Sequence, residues 1–68
     1  MQTAADHSAH VLTFMVAQEA MAYRDNLRVA YSDESDFGDQ CYYCDRAADC
    51  LERLRDLGAH DVVFALTH

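Results

Sequence analysis

The chain has 68 residues, 51% hydrophobic and 25% charged, with twelve acids against five arginines and no lysine, giving a net charge of −7. That length allows one domain at most, the composition excludes a wholly disordered chain, and the acidity excludes direct nucleic-acid binding, which depends on cations at phosphates. Met1–His10 lacks the cation and apolar run of a secretory signal, and no segment approaches the ~20 apolar residues of a membrane span. The expected compartment is the cytoplasm, with the three cysteines held as reduced thiols.

Residues 1–9 are expected to form a flexible polar tail, and residues 10–68 a single small domain. His7 in the tail and His10 at its edge have the i, i+3 spacing of metal ligands, which an exposed polar N-terminus explains equally well. Residues 10–24 are ambiguous. His10-Val11-Leu12-Thr13-Phe14-Met15-Val16 favours a strand, whereas Ala17-Gln18-Glu19-Ala20-Met21-Ala22 favours a helix. In one architecture a tight turn at Asp25-Asn26 folds this segment back on a strand over Leu27–Ser32, in which Leu27, Val29 and Tyr31 share a face. In the other, a long helix begins near Ala4, capped by Thr3, and runs to about Tyr31.

The polar stretch Asp33–Asp39 reads as a connection. From about Asp39 to Leu57 the spacing predicts a helix, stopped by Gly58. At about 100° per residue, Cys41, Cys44, Ala47, Ala48, Leu51 and Leu54 share its apolar face, while Asp45, Asp49, Glu52 and Asp56 fall opposite within an arc of about 60°. His60-Asp61-Val62-Val63-Phe64-Ala65-Leu66 is short and rich in β-favouring residues and predicts a final strand.

The preferred fold is α+β in the order β-β-α-β, a three-stranded sheet with one amphipathic helix on one face. The alternative is a long N-terminal helix packed with the second helix and a C-terminal strand. The preferred fold leaves a sheet face bearing Val11, Met15, Met21, Tyr23 and Val63 uncovered, a patch expected to drive homodimerisation.

Cys41-Tyr42-Tyr43-Cys44 has the C-x-x-C spacing of thiol redox proteins, but there is no proline and the neighbours Asp39 and Asp45 are anionic, which makes a poor attacking group, so a small thiol redox protein stands as the alternative function rather than the leading one. Cys41 and Cys50 lie on opposite sides of a helix, which argues against a zinc site. With only two glycines, Gly38 and Gly58, a phosphate loop is excluded. No catalytic site, metal or cofactor is expected.

The acidic stripe is the remaining feature. Beyond Ala30 there are nine acids and three arginines. Asp45, Asp49, Glu52 and Asp56 step about 4.5–6 Å along the helix axis, approaching the spacing of phosphates on a strand. Asp33, Glu34, Asp36 and Asp39 prolong the run. A solvated surface, or one suited to high salt, explains the acids equally well. In size, charge and topology the chain resembles the small acidic phage-type DNA mimics, anti-CRISPR proteins among them. That resemblance implies a non-enzymatic inhibitor whose acidic face occupies the cationic channel of a nucleic-acid-binding complex.

Overall fold

The computed structural model describes the backbone from Ala4 and the side chains from Ala9 to His68. It holds three helices, α1 (Ala4–Ala30), α2 (Phe37–Asp56) and α3 (His60–Thr67). There is no strand among the described residues. The α+β expectation is therefore overturned, and so is the C-terminal strand of the alternative. The long N-terminal helix of that alternative is present. Its expected cap, Thr3, lies outside the described residues, and the expected tail boundary at residue 9 falls inside the span of α1.

The helix wins over the hairpin in residues 10–32 for local reasons. The span of α1 contains seven alanines, no glycine and no proline, so propensity summed along it outweighs the few β-branched positions. Asp25-Asn26 lacks the glycine that a tight hairpin turn favours. No described residue other than glycine has positive φ. Instead, Asp25 accepts from Arg28 one turn later at 3.2 Å. Thr13 Oγ1 donates to the Ala9 carbonyl at 2.9 Å and Asn26 Nδ2 to that of Ala22 at 2.8 Å, so these side chains satisfy their polar atoms within the helix.

α2 begins with a reciprocal capping box. The Asp39 backbone N–H donates to Asp36 Oδ1 at 2.8 Å, and the Asp36 N–H donates to Asp39 Oδ2 at 3.4 Å. It ends in a Schellman motif around Gly58, whose φ is +79°. The Gly58 N–H donates to the Arg55 carbonyl and the Ala59 N–H to that of Leu54, both at 2.9 Å. A side chain at Gly58 meets no obstacle but holds the backbone in the left-handed region that L-residues avoid.

α3 is helical although its residues favour strands. With α1 helical, a lone strand has no neighbour for its backbone donors and acceptors, whereas a helix satisfies them internally. α3 turns back on α2 so that Leu54, Ala59 and Val63 form the core cluster, with Val16, Leu51, Val62 and Leu66 packed around it. Elsewhere α1 and α2 meet through Ala30, Ala47 and Cys50, small residues that let two helices approach closely. The core is thin. The molecule measures 51 × 19 × 16 Å with a radius of gyration of 14.5 Å, against about 11 Å for a compact domain of this length.

The uncovered sheet face is corrected as well. Val63 is buried in the core on α3, Tyr23 is half-buried, and Val11, Met15 and Met21 are exposed on α1. Met21 and Tyr23, two residues apart, point about 160° away from each other around the helix. These five residues share no single surface.

Candidate interaction face

α1 packs against the side of α2 that carries Ala47, Cys50 and Leu54, all buried. Asp45 lies nine residues from Leu54 and so about 180° around the helix. Asp45, Asp49, Glu52 and Asp56 are all exposed on that outer side. Two ion pairs form among the described residues, Arg28 with Asp25 and Arg53 with Glu19. Neither involves an acid of the stripe. Arg46, which leaves the same helix, lies instead over the Tyr42 ring, 5.6 Å from its centre. The four charges therefore face solvent without a neutralising partner.

The connection adds charge at one end. Asp33 and Glu34 are exposed, and Ser35 pins the turn by donating its hydroxyl to the Val29 carbonyl. Asp36 and Asp39 are exposed too, but their carboxylates are engaged in the capping box. Their presence has a structural explanation that the other six acids lack. That role was readable from the Asp-x-x-Asp spacing alone.

Sequence reasoning missed a second polar group, between α1 and α2. Arg53 Nε donates to Glu19 Oε1 at 2.9 Å, and an Arg53 terminal nitrogen donates to Cys50 Sγ at 3.4 Å. Glu19 Oε2 is buried without a hydrogen-bond partner. Burial pushes the Cys50 thiol above its ordinary range, the Glu19 carboxylate adds to this, and Arg53 opposes it. The bond to Glu19 is also the main reason that the Arg53 guanidinium holds its proton more tightly.

Cys50 gives a testable pH dependence. Because the folded thiol keeps its proton more firmly than the unfolded one, raising pH past the ordinary thiol range of about 8.5 deprotonates the unfolded chain first and lowers stability. The melting temperature of the parent is expected to fall more steeply between about pH 8 and pH 10 than that of Cys50→Ser, whose hydroxyl does not titrate there. Equal slopes would remove this role.

Cys41 and Cys44 stand at the fifth and eighth positions of α2, past its first turn. Cys41 is exposed, and Cys44 is half-buried with its thiol 3.8 Å from Tyr31 Oη. That contact is the main cause of a raised Tyr31 pKa. No three His, Cys, Asp or Glu side chains converge as metal ligands among the described residues. No described helix is long and apolar enough to cross a membrane. Comparison with protein-family models, with curated proteins and with solved structures finds no match for this chain.

Proposed function

We propose that the protein is a non-enzymatic inhibitor of the DNA-mimic kind, similar in action to anti-CRISPR proteins, which occupies the cationic surface of a nucleic-acid-binding partner. One observation carries this reading: Asp45, Asp49, Glu52 and Asp56 form an exposed row opposite the core of α2, and no described cation pairs with them. Like charges at i, i+4 cost a helix a few tenths of a kcal/mol each, so the row works against folding and calls for an explanation outside it. Asp33 and Glu34 extend the row. Asp36 and Asp39 contribute their charge while capping the helix. Three free cysteines, an odd number, suit a reducing compartment, and we place the protein in the cytoplasm.

The test neutralises the row with Asp45→Asn, Asp49→Asn, Glu52→Gln and Asp56→Asn together. Helicity is expected to stay at the parent level, because the exchange removes repulsion. Proteins retained from a bacterial lysate on the immobilised parent are expected to be released by added duplex DNA, to be lost steeply with salt, and to be absent from the neutralised variant. Retention that neither DNA nor neutralisation disturbs overturns the proposal.

A further inference from the structure

The N-terminal half of α1 carries more apolar surface than this chain covers. From Val11 to Val16 every residue but Thr13 is apolar, and these side chains sweep an arc of about 200° around the helix. A helix apolar over so wide an arc belongs in contact on more than one side. Only Val16 packs against the core here. Val11, Leu12, Phe14 and Met15 remain 46%, 43%, 63% and 44% exposed.

Two clefts flank this segment. One, of about 440 Å³, is bordered by Phe14, Met15 and Leu57 with Glu19, Arg53 and Asp56 at its edge, and the other, of about 240 Å³, by Leu12, Val16 and Val62 with Asp61. The chain exposes 5210 Å², whereas a compact monomer of its 7.7 kDa mass exposes about 4,300 Å². The whole chain is thus about 900 Å² more open than a compact monomer, an excess to which this segment contributes.

Charge selects the occupant. Ala9–Gln18 contains no Asp, Glu, Lys or Arg, although the chain as a whole carries −7. Two copies meeting here bring few acids together, since only Asp56 and Asp61 border the clefts beside the Arg53-paired Glu19, whereas contact through α2 places row against row. A membrane surface fits poorly. Helices that lie on membranes carry Lys or Arg along the polar face, the first arginine of this chain is Arg24, and anionic lipid repels an acidic protein.

We propose that Val11–Met15 of α1 and the clefts beside it form a two-fold interface with the same surface of a second copy. In a closed two-fold pair each copy offers the identical patch, and Phe14 enters the space beside Leu57 of the other chain. Asp45, Asp49 and Glu52 lie on the far side of α2 from the interface and stay open, whereas Asp56 borders the cleft that Phe14 enters. The pairing stands whether or not the row binds a cationic partner.

Sedimentation under reducing conditions tests it, since the exposed Cys41 thiol then forms no covalent dimer. The parent is expected to be a dimer at tens of micromolar. Phe14→Asp and Met15→Asp are each expected to raise the dissociation constant at least about thirty-fold, with circular dichroism unchanged. Phe37→Asp makes the same exchange at the first position of α2, where the side chain is 79% exposed, and is expected to leave the dimer intact. A parent that stays monomeric at all concentrations, or that grows into open-ended species, overturns the interface. So does a dimer that Phe14→Asp and Met15→Asp weaken no more than Phe37→Asp does.

Discussion

Leu54→Ala is expected to abolish cooperative thermal unfolding of the protein, or to lower its midpoint by at least about 15 °C. Leu54 is 0% exposed and is the largest fully buried side chain among the described residues. It joins all three helices, since Ala59, Val63 and Val16 gather around it. Removing three carbons from such a site costs about 2–5 kcal/mol. A chain of this length has about 3–10 kcal/mol of stability in total, so the loss is of the same size as the whole. Met21→Ala, at a side chain 66% exposed, is expected to shift the midpoint by a few degrees at most. A melting series monitored by circular dichroism separates the two, and equal midpoints for parent and Leu54→Ala would place the core elsewhere.

The second large effect belongs to the polar group between α1 and α2. Arg53→Met removes the one side chain that pairs with Glu19, whose side chain is 23% exposed and has one oxygen already without a partner. A hydrogen bond to a charged group contributes about 1.5–3 kcal/mol. Arg53 is itself 53% exposed, and screening by solvent reduces the loss to about 1–2 kcal/mol. Adding Glu19→Met should restore stability to the parent level or above it, because apolar replacement of both partners removes the stranded carboxylate as well. A double-mutant cycle in denaturant measures the coupling. If Arg53→Met alone is as stable as the parent, the pair holds nothing together.

These effects trace back to what was legible in the chain. Gly58 announces the end of α2. The alternation of Leu51 and Leu54 with Asp49, Glu52 and Asp56 gives that helix its two sides, and both match the structure. Residues 10–32 were harder because Val11–Val16 is apolar at nearly every position, so a period of two and a period of 3.6 fit it equally well. What favours the helix lies beside that run, in the alanines that follow it and in an Asp-Asn pair without glycine. α3 was misread for a related reason: Val62-Val63-Phe64 suits a strand only if another strand stands next to it. The acidic row depends on one helix and was visible at once. The contact of Glu19 with Arg53 spans 34 positions and exists only once α1 is helical, so no local pattern reveals it.

The short link between α1 and α2 bears on how the chain reaches this structure. Only residues 31–36 separate the two long helices, so closing the loop costs little entropy. Contacts beside the link, such as Tyr31 with Cys44, are the nearest in sequence and can form first, after which pairing proceeds outward towards Glu19 and Arg53. Proteins built from such local contacts fold in microseconds to milliseconds. The free end of α1 closes last, and its apolar residues are therefore the surface that a newly made chain leaves open longest.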